Sequence, residues 1–67
     1  MDLTEEIVVY RTAKHLIYQH GEKAGFEAAM RAAELLNCGD SVGSATWRRI
    51  VTAIEALLIT DPGETLH

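Results

Sequence analysis

Residues 22–38 read EKAGFEAAMRAAELLNC, and the predicted fold depends on them. Plotted at about 100° per residue, their apolar side chains occupy two sides of one helix. One side carries Phe26, Ala29, Met30, Ala33 and Leu36, and the other carries Ala24, Ala28, Ala32 and Leu35. A helix that is apolar over so wide an arc is typical of a central element with a neighbour on each side. We therefore expect helix 2, over about 22–38, to be central, with its alanines permitting close approach of both partners.

A first amphipathic helix is predicted over about 3–20. Asp2 and Glu5 have the spacing of a capping box, and Gly21 is suited to cap the C-terminal end. The expected core face is Val9, Ala13, Leu16, Ile17 and His20.

A third helix is predicted over about 44–59, after a C-terminal cap at Gly39. Asp40, Ser41 and Ser44 are each able to serve as its N-cap. Its apolar residues recur at helical spacing and form one stripe: Trp47, Ile50, Val51, Ile54, Leu57 and Leu58.

No segment shows the alternation of a strand, and the connections are short. The sequence therefore predicts an all-α fold, a small three-helix bundle with helices at about 3–20, 22–38 and 44–59. Pro62 disfavours further helix. We expect residues 1–60 to form a single domain and 61–67 a flexible tail.

Composition narrows the classes of function. The 67 residues carry ten acidic and six basic side chains, a net charge of −4, which disfavours nucleic acid as a partner. The first residues are acidic, unlike a signal peptide, and no apolar run reaches the ~20 residues that span a bilayer. A single cysteine fits a reducing compartment. We expect a cytoplasmic protein without membrane contact.

The candidates for catalysis and metal binding have structural explanations. His15 and His20 are five residues apart, roughly 140° around a helix, whereas helical metal ligands need spacings of three or four. Cys38 lies at a predicted helix C-terminus, where the dipole disfavours a thiolate. Asp40 is explained by capping. We expect no enzyme activity, no metal and no cofactor, and no small-molecule substrate is evident.

Arg48 and Arg49 raise the alternative of DNA binding. They follow Trp47 in the first turns of helix 3, as base-contacting residues do in a helix-turn-helix. The predicted connection before helix 3 is longer than the three or four residues usual for that motif, and few other cations are present to hold phosphates.

The face of helix 1 opposite its core carries a second candidate site. Val8, Arg11, His15 and Tyr18 recur there at spacings of three and four residues. An aromatic, an arginine and a branched apolar residue together are typical of protein interfaces. The sequence therefore predicts a partner-binding stripe on helix 1.

Residues 19–58 also resemble a family of short bacterial proteins of unknown function. The likeness lies in His20-Gly21 before a helix, a Gly39-Asp40 turn, Gly43, and Trp47 leading the last helix. The resemblance implies a cytoplasmic helical protein and brings no activity with it.

Taken together, these features predict a small acidic, non-enzymatic protein-interaction module that binds a protein partner or itself. One form of this hypothesis is a phage or mobile-element inhibitor of the anti-CRISPR type, covering a basic nucleic-acid-binding surface on a larger complex. The alternative is a helix-turn-helix-like DNA-binding regulator that uses helix 3.

Overall fold

The computed structural model describes residues 3–59, with side chains from residue 5 onward. This part of the chain is almost entirely helical and contains no strand. Its α-helical segments are α1, Leu3–His20; α2, Ala24–Asn37; and α3, Ser41–Ile59. The predicted all-α class is confirmed for these residues. Residue 60 and the predicted tail, 61–67, lie outside them.

The first two helices follow each other without an intervening loop. A 3-10 turn over Gly21–Lys23 joins α1 to α2, so the helical structure from residue 3 to 59 is interrupted only at 38–40. Gly21 has a φ of +61°, the left-handed conformation that glycine adopts without strain. The all-α class is therefore shown, but the finer description as three separate helices in a bundle is not confirmed. The predicted bounds of helix 1 match α1, whereas α2 begins later than the predicted residue 22 because 21–23 are 3-10.

Gly39 ends α2 as predicted. Its φ is +88°, and the two hydrogen bonds of a Schellman cap are present. The Asp40 N–H donates to the Leu35 carbonyl at 2.8 Å, and the Gly39 N–H donates to the Leu36 carbonyl at 3.0 Å. The chain therefore turns through only three residues before the next helix starts.

The predicted start of helix 3 at residue 44 is wrong, since α3 begins at Ser41. Asp40 is the N-cap, and its Oδ1 accepts a hydrogen bond from the Gly43 N–H at 2.9 Å. Ser44 is only 3% exposed inside the helix. A Cβ at residue 43 would lie 2.5 Å from the Asp40 carboxylate, so a glycine at this position belongs to the cap and not to a loop.

The central element is α3, which corrects the expectation that helix 2 lies between two neighbours. Both α1 and α2 pack mainly against α3, and they contact each other least. The antiparallel pairing of α2 with α3 places Gly25 opposite Ile54, so that a Cβ added at Gly25 would lie 3.9 Å from Ile54 Cγ2. The buried apolar residues are small apart from two isoleucines and one valine: Val9, Ala13, Ala24, Ala28, Ala32, Ile50 and Ile54.

The predicted core faces of α1 and α3 are largely confirmed. Leu16 and Ile17 of α1 pack against the buried cluster, as do Trp47, Val51, Leu57 and Leu58 of α3. His20, which was predicted on the core face of helix 1, is exposed. Among the helices within residues 3–59, none combines the length and apolar character needed to cross a bilayer.

Candidate partner-binding surfaces

The largest departure from the sequence prediction lies on α2. Phe26, Ala29, Met30, Ala33 and Leu36, which we call the outer stripe of α2, were expected in the core and are all exposed. Phe26 is 65% exposed, Met30 44% and Leu36 57%. With Ala29 and Ala33 between them, they form a continuous apolar surface along the helix.

The opposite face of α2 is the buried one. Ala24 and Ala28 have no exposed surface, and Ala32 is 5% exposed. Their short side chains let the α3 backbone come close, so that a Cβ at Gly25 would sit 3.9 Å from the Cγ2 atom of Ile54. Because α1 and α3 both lie on this side, no described element covers the outer stripe.

One edge of the outer stripe is lined by charged side chains of α2. Glu27 and Glu34 lie along one edge, both exposed, and within residues 5–59 neither carboxylate has an ion-pair or hydrogen-bond partner. Arg31 lies between them and lines the same cleft, with its guanidinium 5.5 Å from the centre of the Trp47 ring. This edge therefore carries charges of both signs.

The other edge of the outer stripe opens into a groove between α2 and α3. The groove has a volume of about 420 Å³ and is mainly apolar. Ala29 and Leu36 line one wall, and Val51 and Arg48 line the other. The cationic side of the outer stripe is thus formed by α3 and not by α2 itself.

A second apolar groove, of about 600 Å³, separates α1 from α3. Ile7 and Tyr10, each about half exposed, line it from α1. Arg49 lines it from α3 and pairs with Glu5, with 3.5 Å between the guanidinium and carboxylate atoms. This ion pair is partly exposed, so its contribution to stability is below ~1 kcal/mol.

The structure brings the predicted stripe of α1 together on one exposed face. Val8 is 52% exposed and Tyr18 is 89% exposed, with Arg11 and His15 exposed between them. The sequence from Ile7 to Gly21 contains no acidic residue. Arg11 therefore gives this face a positive charge, although the whole chain is acidic.

The predicted DNA-contacting arginines do not share a surface. Arg48 lines the groove toward α2, and Arg49 lines the groove toward α1. The turn between α2 and α3 is only three residues, within the range of a helix-turn-helix. However, α2 and α3 lie side by side from Gly25 and Ile54 to the turn, whereas the helices of that motif cross steeply.

The other residues considered at the sequence level are spread over the structure. Cys38 and His15 are exposed, and Asp40 is engaged as the N-cap of α3. His20 borders a smaller cleft of about 280 Å³ beside Trp47 and Arg31. No group of three or more metal-ligating side chains occurs in the part of the chain that the structure describes.

The outer stripe of α2 was missed at the sequence level because hydropathy alone does not separate the two faces of this helix. Side-chain size does separate them. One face has three alanines in succession at helical spacing, and the other has the phenylalanine, the methionine and a leucine. Small residues on one face indicate close helix packing there, so the difference in side-chain size predicts which face of α2 is buried.

Comparison of the chain with protein-family models, with curated proteins and with solved structures found no match. The resemblance to short bacterial proteins with the His-Gly, Gly-Asp and Trp pattern therefore stays a prediction.

Proposed function

We propose that the protein is a small, acidic, non-enzymatic interaction module that acts in the cytoplasm as a three-helix bundle and docks on a larger protein. The observation that carries this proposal is the exposed outer stripe of α2. Three large apolar side chains on one helix face, each 44–65% exposed, are more than the scattered apolar residues of an ordinary surface.

The energetics of the outer stripe favour a role in binding. Covering the exposed parts of Phe26, Met30 and Leu36 is worth on the order of 3 kcal/mol. Micromolar binding requires about 8 kcal/mol, in addition to the cost of immobilising the partners. A docked partner must therefore also use the stripe's charged edges or a neighbouring groove.

The small core supports the same proposal. Ile54 is the largest side chain that is fully buried among the described residues. Domains of this size have a net stability of only about 3–5 kcal/mol from the core. A partner that binds only the folded chain stabilises it further by mass action, so docking and folding reinforce each other.

The more specific form of the proposal is an inhibitor of the anti-CRISPR type, encoded by a phage or mobile element. A chain of 67 residues with a net charge of −4 is suited to cover a basic nucleic-acid-binding surface. The carboxylates of Glu27 and Glu34, which have no ion-pair partner within residues 5–59, support this form better than the stripe of α1, which carries Arg11.

The experiment that tests docking compares two double variants. Phe26→Ser with Leu36→Ser alters the outer stripe of α2, and Val8→Ser with Tyr18→Ser alters the stripe of α1. Both pairs are exposed, so circular dichroism and Tm should stay close to wild type. We expect the α2 variant to lose the partner captured from the native host and the α1 variant to keep it. Loss in the α1 variant alone would move the docking site to the helix 1 stripe.

A helix-turn-helix-like regulator using Arg48 and Arg49 stays the alternative proposal, and the three-residue turn before α3 supports it. It requires salt-dependent retention on duplex DNA that is lost when both arginines are replaced by alanine. Absence of retention on DNA at low salt would exclude it.

A further inference from the structure

We infer that the joint between α1 and α2 is a hinge, and that its opening lets two copies of the chain form a dimer by exchanging α1. In the exchanged dimer, α1 of each copy packs on α3 of the other copy. The inference does not depend on what covers the outer stripe of α2. It rests on the backbone of the joint, on the contacts of α1 and on the faces of the two helices.

The joint contains no loop, and one residue sets its direction. The 3-10 turn Gly21–Lys23 connects directly to both α-helices. Between residues 3 and 37, Gly21 is the single residue with a positive φ, +61°. A Cβ added there would meet no atom within 4 Å, so the backbone conformation alone favours glycine. A change of this φ to the helical region, with the turn relaxing from 3-10 to α, would join α1 and α2 into one helix.

The contacts of α1 are of a kind that exchange preserves. Helix α1 packs mainly on α3, and its contacts with α2, the helix to which it is joined, are the fewest among the three pairs. Val9 and Ala13 of α1 belong to the same buried cluster as Ile50 and Ile54 of α3. A second copy presents the same α3 surface. The exchanged dimer therefore restores the α1–α3 packing of both copies.

The core faces of α1 and α2 coincide when the two are drawn as one continuous helix. On an uninterrupted helix from residue 3 to 37, the buried residues Val9, Ala13, Ala24 and Ala28 fall within an arc of about 100°. This helix would be about 52 Å long. Its α2 half covers the α3 of its own chain, and the same face of its α1 half is free to cover the α3 of a second copy.

The hinge and the protein concentration decide between the single chain and the dimer. In the single chain the short joint keeps α1 beside α3 at an effective concentration on the order of millimolar. The net charge of −4 adds repulsion between copies. Because the α1–α3 contacts are the same in both forms, a change that favours the open hinge shifts the balance toward the dimer. We expect the wild-type chain to be monomeric at micromolar concentration.

Substitution at Gly21 tests the hinge. Gly21→Ala disfavours the positive φ and favours a continuous helix. Two hinges open in each dimer, so the Kd of dimerisation should fall by about a hundredfold or more. Gly25→Ala is the matched control, because Gly25 is helical in both forms, and it should leave Kd within about twofold of wild type. Sedimentation measures Kd, with a reductant present because Cys38 is free and exposed.

Isotope-filtered NMR distinguishes exchange from other kinds of dimer. A dimer of one labelled and one unlabelled Gly21→Ala chain should show nuclear Overhauser effects between the core methyl groups of α1 in one copy and those of α3 in the other. A dimer formed through the outer stripe of α2 keeps these contacts within each chain. Adding Phe26→Ser and Leu36→Ser to Gly21→Ala should therefore leave the exchanged dimer intact.

Three results would overturn the exchange. They are a Gly21→Ala chain that stays monomeric up to millimolar concentration, a Gly25→Ala chain that dimerises as tightly, and a dimer without contacts between α1 of one copy and α3 of the other. If Gly21→Ala does not fold, the wild-type chain decides. Refolded from urea at millimolar concentration, it should give a fraction of exchanged dimer on size exclusion, and monomer alone would contradict the hinge.

Discussion

The two faces of α2 are both apolar, yet one is buried and the other is exposed. The inner face has Ala24, Ala28 and Ala32, none more than 5% exposed, whereas Phe26 on the outer face is 65% exposed. By hydropathy alone Phe26 would be the first residue to bury. The contrast shows that close backbone packing against α3 selects small side chains, and that the larger ones lie on the face of α2 that no described helix covers.

The largest effect expected from this contrast is on stability. Ile54→Ala should cost about 2–5 kcal/mol, because it removes the fully buried side chain that packs near the inner face. Phe26→Ala removes more atoms but should cost less than ~1 kcal/mol, since most of the ring is already exposed. Urea denaturation followed by circular dichroism measures both. Comparable losses in the two variants would mean that Phe26 is buried.

Two alanine-to-leucine substitutions, one on each face of α2, test the same difference in burial. Ala28→Leu forces three extra carbons into the α2–α3 contact and should destabilise by about 1–3 kcal/mol. Ala29→Leu, one residue away on the outer stripe, should change stability by less than ~0.5 kcal/mol. For a domain of this size the first change lowers Tm by roughly 5–20 °C. If Ala29→Leu were the more damaging substitution, the two faces would be assigned the wrong way round.

The cap at Asp40 sets where α3 begins and so how it aligns on α2. Asp40→Ala removes the acceptor of the Gly43 N–H and should cost about 1 kcal/mol. Ser41→Ala is the control at the next residue, which is exposed, and should be close to neutral. Equal melting temperatures for Asp40→Ala and wild type would show that the cap contributes nothing.

The smallest effect is expected at Gly25. A Cβ there would meet Ile54 Cγ2 at 3.9 Å, an ordinary contact, so Gly25→Ala should fit without repacking. Replacing glycine by alanine inside a helix then stabilises by about 0.5–1 kcal/mol. A lowered Tm would mean that α2 and α3 lie closer together than the structure places them.

Much of the helical structure was predictable because caps act locally. The bounds of α1 and the glycines that end α1 and α2 follow from interactions within a few residues. The predicted start of α3, residue 44, is three residues too late because a glycine at residue 43 is typical of a loop. In the structure Gly43 lies inside the helix, where the Asp40 side chain fills the space beside it.

The assignment of the faces of α2 is a different kind of problem, because it depends on packing between helices. The sequence predicted two neighbours on opposite sides of a central helix 2. In the structure α3 is central, and α1 and α2 both pack mainly against it. Helices α1 and α3 therefore lie on the same side of α2. The candidate site at Val8 and Tyr18 was predictable as an exposed face, whereas the outer stripe of α2 required knowledge of where α3 lies.

Thiol labelling tests most directly which face of α2 is exposed. In a Cys38→Ser background, four single variants, Ala28→Cys, Ala32→Cys, Ala29→Cys and Ala33→Cys, differ only in the face they report. The outer pair should react with a maleimide reagent as fast as an unfolded peptide, and the inner pair at least about a hundredfold more slowly, since they react only when the helices open. Equal protection of all four thiols would contradict an exposed outer stripe, and fast labelling of all four would contradict the packing of α2 on α3.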